Sequence, residues 1–80
     1  MQKSISSQGY VKFRKWLRET REQAGLTQED LAERLGETQS FVSKCERGER
    51  RMDIVELREF CRAMDITLEK FVKSFERRLR

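Results

Sequence analysis

Apolar residues recur along this chain at intervals of three and four, in five short stretches separated by glycine, threonine, serine and aspartate. That is the helical period, so the pattern predicts an all-α chain of five helices joined by tight turns. The first helix is expected from about Tyr10 to Ala24, with Tyr10, Phe13, Leu17 and Ala24 on its apolar face, Thr20 and Arg21 on the same side, and Gly25 as its stop. The second begins at Thr27, with Asp30 three residues on in a capping-box spacing; Leu31, Ala32 and Leu35 face inward and Gly36 ends it. The third is capped by Thr38 or Ser40, turns Val42 and Cys45 inward and stops at Gly48. Asp53 and Glu56 open the fourth, which presents Ile54, Leu57, Cys61 and Met64 with Phe60 beside them. Thr67 caps the fifth, whose stripe of Leu68, Phe71, Val72, Phe75 and Leu79 reaches the last residue but one.

The second and third helices carry the informative signal. Two short helices packed at a steep angle need a small residue where they approach, a turn residue at ease with positive φ, and apolar side chains on both sides of the turn. Ala32, Gly36, Leu31, Leu35, Val42 and Cys45 meet these requirements within the eighteen residues from Gln28 to Cys45. An ordinary helical hairpin in a bundle is the plain alternative.

Composition narrows what such a unit can do. The chain has 80 residues, enough for one domain, and 40% of them are charged, which leaves no apolar run of membrane-spanning length. Met1–Gly9 is polar, lacks the apolar stretch of a secretory signal and is expected to be loosely held, with the domain proper over residues 10–80. The expectation is a soluble, cytoplasmic protein without membrane association. The basic, aromatic tail can also be read as a membrane-surface helix, and no such binding is expected. With no histidine, no phosphate-binding glycine loop and no nucleophile paired with a base, neither enzymatic activity nor a metal or cofactor is expected. Cys45 and Cys61 fall on apolar helical positions and read as small buried hydrophobes, a redox role being the alternative.

The net charge is +4, but its distribution says more. Lys3, Lys12, Arg14, Lys15 and Arg18 precede the first acid; Glu19 to Glu37 is mostly acidic; Lys44, Arg47, Arg50 and Arg51 restore a basic stretch. Asp53 to Glu69 is acidic again, and the end of the chain is basic. Alternating blocks on a small domain set a basic face beside an acidic one, which suits a polyanion.

From Leu17 to Phe71, about two thirds of its length, the chain resembles the helix-turn-helix family of the lambdoid phage repressors and Cro, the Cro/C1 or XRE type. The resemblance rests on LRETREQAGLTQEDLAERLG, SFVSKCERGER and two following helices. It implies a five-helix, lambda-repressor-like domain that binds double-stranded DNA as a transcriptional regulator. The departures are Glu37 where an apolar residue is common, Cys45 for isoleucine or leucine, Thr20 for leucine, and Asp65 for a glycine before the last helix. Asp65 can still take the left-handed conformation.

The resemblance lays the third helix in the major groove. Gln39, Ser40, Ser43 and Lys44 then read bases, Gln39 suiting adenine and Lys44 guanine. Gln28, Thr38, Arg47, Arg50 and Arg51 hold the backbone, the bland alternative for Arg50 and Arg51 being solvation. Phe41 either touches thymine methyls or the sugar–phosphate backbone, or packs on the second helix or the loop. Arg21 and Glu46 occupy the places of a structural ion pair. The stripe of Phe71, Val72, Phe75 and Leu79 predicts a homodimer, unless Tyr10 and Phe13 cover part of it. A repressor on a palindromic operator is the expected function. An antitoxin that combines operator binding with contacts to a toxin partner is the rival.

Overall fold

The computed structural model of the protein describes residues 7–80. It contains five helices: α1 (Gln8–Gln23), α2 (Gln28–Leu35), α3 (Gln39–Arg47), α4 (Ile54–Ala63) and α5 (Leu68–Leu79). No strand occurs among the described residues. None of the described helices is long and apolar enough to cross a membrane.

The helix starts follow from local side-chain chemistry, because each supplies an acceptor for amides that have no partner within the helix. Thr27 and Asp30 form a reciprocal capping box at α2, and Asp53 and Glu56 form another at α4. Thr38, not Ser40, caps α3 through the Phe41 amide, and Thr67 caps α5 through the Lys70 amide. At α1 the Ser7 hydroxyl accepts from the Tyr10 amide, so the helix starts at Gln8, two residues before the apolar period does. Residues 7–9 thus belong to the domain, while the expectation of a loose segment over residues 1–6 lies outside the described residues. Asp65, standing for the family's glycine, adopts φ +59° between α4 and α5.

α1 packs on α3 and α5, α2 packs on α3 and α4, and α4 packs on α5. The shared core consists of Trp16, Leu17, Leu31, Ala32, Val42, Cys45, Leu57, Phe60, Cys61, Met64 and Phe71. In α1 and α4 two positions differ from the apolar period. Ala24 is exposed, since it caps α1 beyond the region where that helix packs; Trp16 is the buried partner of Leu17 instead. Ile54, the first residue of α4, is 61% exposed, and Leu57 is the first α4 side chain to reach the core. Cys45 and Cys61 are free and buried. Burial pushes the Cys61 thiol up to about 11 and also raises that of Cys45, so both stay protonated at neutral pH.

α5 is held against α1 by rings. The Trp16 indole N–H donates to the Phe71 carbonyl at 3.1 Å while its ring lies 5.7 Å from that of Phe71. Phe13 meets Phe71 and Phe75 edge-on at 6.2 and 5.8 Å. The dimer stripe therefore needs correction. Phe71 is fully buried inside its own protomer, and Phe75 is half-buried against Phe13; Val72 and Leu79 are the members left exposed.

Candidate nucleic-acid interface

The turn between α2 and α3 is set by backbone geometry. Gly36 takes φ +69°, a conformation that strains any residue with a Cβ, and this lets the amides of Gly36 and Glu37 close on the carbonyls of Glu33 and Ala32. Ala32 is buried where the helices approach, and Leu31, Val42 and Cys45 fill the angle between them with no exposure at all. α3 is thereby pinned by its inner side. Thr38, Gln39, Ser40 and Lys44 remain exposed, Ser40 and Lys44 being one turn apart on the same face.

A chain of polar contacts runs from the core to that exposed edge. Arg21 on α1 donates from Nε to Glu46 Oε2 at 2.6 Å and from Nη2 to Oε1 at 3.0 Å, while Nη1 reaches the Leu26 carbonyl at 2.8 Å. Glu46 Oε1 also accepts from Gln28 Nε2 at 3.0 Å, and Gln28 Oε1 accepts from Gln39 Nε2 at 2.6 Å. The carboxylate beside it raises the Arg21 pKa above its ordinary value despite burial. The network ties three helices together and leaves the Gln39 side chain in a defined position at the exposed start of α3.

Ser43 requires a correction. It is buried rather than on an exposed edge of α3, and its hydroxyl accepts from Arg47 Nη1. It lines a cleft with Arg14, Arg18, Arg21, Gln28, Glu46 and Arg47, on the side of α3 that faces α1. Arg47 is exposed and its Nε also pairs with Glu49 at 2.6 Å, which lowers the Glu49 carboxyl.

Phe41 is half-buried against Phe60 of α4, ring centroids 6.1 Å apart, and the loop after α3 covers its ring, so it packs within the domain, as the second of its two readings has it. The Arg50 guanidinium lies 4.7 Å over the Phe41 ring and donates to Glu56 at 2.6 Å. Arg50 is thus engaged, although its exposed surface still adjoins α3. Arg51 is exposed and stands 5.2 Å over the Tyr10 ring.

Sequence reasoning placed Tyr10 only on an apolar face. Its hydroxyl in fact clasps the basic loop, donating to the Arg50 carbonyl at 3.5 Å and accepting from the Met52 amide at 3.2 Å. The one available signal was the residue type, since a buried tyrosine usually finds a partner for its hydroxyl. Arg14 was also missed. A side chain at Gly48, which has φ +77°, would meet Arg14 Cδ and Nε at 2.9 Å, so that glycine makes room for the arginine as well as ending α3. Among the described residues no group of His, Cys, Asp or Glu could hold a metal ion.

Residues 17–71 match the sequence profile of the helix-turn-helix family. The chain is 40% identical to an XRE-family like protein from Pseudomonas syringae pv. tomato str. DC3000, covering 90% of this chain and 88% of that one, with a TM-score of 0.82. It is 39% identical to the restriction-modification controller protein C.AhdI from Aeromonas hydrophila, over 76% of this chain and 92% of that one, with a TM-score of 0.69. The fold is also that of the controller protein C.Esp1396I, solved as a tetramer with its natural 35 base-pair operator. That likeness has 24% identity and a TM-score of 0.82, over 90% of this chain and 95% of that one. No curated protein sequence matches the chain. Profile, fold and turn geometry agree: the chain belongs to the XRE, or Cro/C1-type, helix-turn-helix family of DNA-binding transcription regulators.

Proposed function

We propose that the protein is a cytoplasmic, sequence-specific repressor that binds a palindromic operator as a homodimer, with α3 in the major groove. The observation that carries this reading is the contact chain from Arg21 through Glu46 and Gln28 to Gln39. A side chain held this way has already lost much of its rotamer freedom, so less ordering remains to oppose base contact. Gln39 suits the N6 and N7 edge of adenine, and Lys44, one turn on from Ser40, suits the O6 and N7 of guanine. Gln28 and Thr38 lie where a strand's phosphates approach the helix starts. Arg47, Arg50 and Arg51 grip the backbone, Arg47 and Arg50 exchanging carboxylate partners for phosphate.

One such unit reads too few base pairs to select a site among genomic competitors, and two copies related by a twofold axis double the readout. The C.Esp1396I protein, which shares the fold, assembles on its operator as a tetramer. Val72 and Leu79, 42% and 41% exposed, offer an apolar contact for a second copy, with the half-buried Phe75 behind them. A dimer whose operator overlaps the polymerase-binding elements of a promoter represses by exclusion alone.

The test is the salt dependence of binding to duplex DNA, alongside sedimentation equilibrium. A dimer that neutralises about six to ten phosphates loses roughly three to five decades of affinity between about 50 and 200 mM salt. A flat response contradicts this binding mode. The Val72→Glu, Leu79→Glu double variant should be a folded monomer with weak operator binding. A variant that stays dimeric moves the interface elsewhere, and a wild-type monomer removes it.

A further inference from the structure

The cleft between α1 and α3 is lined by Gln28 and Arg47, already given backbone roles, and also by two α1 arginines, Arg14 and Arg18, that have no role so far. Arg14, Arg18 and Arg21 are spaced four and three apart on α1 and so share a face. Across from them stand Ser43, Glu46 and Arg47 of α3, around a space of about 610 Å³. Four guanidinium groups line this cleft against a single carboxylate, and that carboxylate is already engaged by Arg21 and Gln28.

Arg14 and Arg18 are weakly committed in the free protein, whereas Arg47 bonds both Ser43 and the exposed Glu49. Arg14 Nε is buried without a hydrogen-bond partner, and Nη1 reaches only the Glu46 carbonyl, at 3.4 Å. A buried donor with no acceptor is uncommon and costs free energy. Arg18 pairs with Glu22 at 3.3 Å and Arg47 with Glu49 at 2.6 Å, and all four side chains are at least half exposed. Pairs of that kind contribute little and exchange readily for phosphate, which guanidinium groups bind in a fork. The cations lie on two helices instead of around one point, an arrangement that fits an extended polyanion better than a compact anion.

We infer that this cleft is a backbone-binding track for the DNA read by α3, with Arg14 and Arg18 as phosphate contacts beside Arg47. The inference rests on the DNA-binding reading above. Gln28 supplies the continuity, since it lines the cleft and bonds Gln39 at the base-reading edge. A duplex seated on that edge carries a strand past the mouth of the cleft. α1 then takes part in DNA binding directly, besides bracing α3 through Arg21.

The test compares the slopes of log affinity against log salt for wild type, Arg18→Ala, Arg14→Ala and Arg62→Ala, on the preferred duplex and on a scrambled one. Arg62 is an exposed cation of α4 outside the cleft and controls for net charge. Each cleft variant should lose about tenfold in affinity on both duplexes at about 0.15 M salt, and its slope should become shallower by about 0.9 per bound protomer. Arg62→Ala should leave the slope unchanged. Circular dichroism checks folding, and if Arg14→Ala unfolds, the exposed Arg18 decides alone. Wild-type slopes in the cleft variants overturn the inference, as does an equal change in Arg62→Ala. Gln39→Ala in the same assay separates the two claims. If it alters base preference while the cleft variants behave as wild type, only the track falls; if wild type binds neither duplex, the DNA-binding reading falls with it.

Discussion

α1 makes two junctions, and they are built from different chemistry. Against α3 it is joined by charge and directed hydrogen bonds, centred on Arg21 and Glu46. Against α5 it is joined mainly by the rings of Phe13, Trp16, Phe71 and Phe75, with a hydrogen bond from the Trp16 indole and, at the exposed margin, Arg78 over the Trp16 ring and paired with Glu19. Apolar burial is non-directional and scales with area, so rings hold α5 firmly without aiming anything. Polar contacts fix angles but return little net free energy once desolvation is counted. The two junctions therefore divide the work, one stabilising the domain and the other orienting α3, the helix proposed to enter the groove.

The comparison predicts its largest effect at the ring junction. Phe71→Ala removes a fully buried ring and should cost about 3–5 kcal/mol, a large part of a small domain's stability. Urea denaturation measures this, and a loss under about 1 kcal/mol would mean that α5 is not part of the cooperative core. At the polar junction, Glu46→Ala should cost about 3 kcal/mol by stranding the Arg21 guanidinium. The double variant with Arg21→Ala should lose much less than the sum of the singles, whereas additive losses would deny the coupling.

Burial, more than bond length, decides what an ion pair contributes. Arg47–Glu49 has the same 2.6 Å separation as Arg21–Glu46, yet its side chains are 55% and 54% exposed against 9% and 3%. Next in size is the acid response of the α4 capping box. The bonds from Arg50 and from the Asp53 amide hold the Glu56 carboxyl below its ordinary value of 4.5. A carboxyl depressed on folding contributes stability that is complete above the unfolded value and lost as pH falls through the folded one. The melting temperature should thus be flat from neutrality to about pH 5 and decline below about 4.5, less steeply in Glu56→Gln. An identical acid profile in that variant would remove Glu56 as a source. The smallest effect is expected for Arg47→Ala, whose melting temperature should match wild type; a clear drop would mean that the exposed pair matters to folding.

The local chemistry of this fold was legible in the sequence. Thr27, Asp53 and Thr67 announce helix starts because a cap acts on amides two or three residues away, and Gly36 announces a turn by its own backbone freedom. The depth of each apolar position was less legible. Trp16 and Ala24 share α1, but which of them is buried depends on α5, more than forty residues on. The same holds for Phe71, whose place inside the protomer core is set by Trp16 and Phe13. The exposure of Gln39 and Lys44 on α3 followed from helical spacing, while their assignment to base reading came from the family resemblance. The engagement of Arg50 with Phe41 and Glu56, and of Ser43 with Arg47, depends on side-chain rotamers and packing that spacing does not encode.

The central claim is that Gln39, held by Gln28 at the start of α3, reads a base. Selection of bound duplexes from a random pool, run in parallel with wild type and Gln39→Ala, tests it most directly. Wild type should enrich a palindrome whose half-sites are centred about 34 Å apart or a multiple of that. Gln39→Ala should lose about 1–3 kcal/mol on that site and relax preference at one symmetric position, leaving the rest of the motif intact. An unchanged motif in the variant, or no enrichment by wild type, would contradict the placement of α3 in the groove.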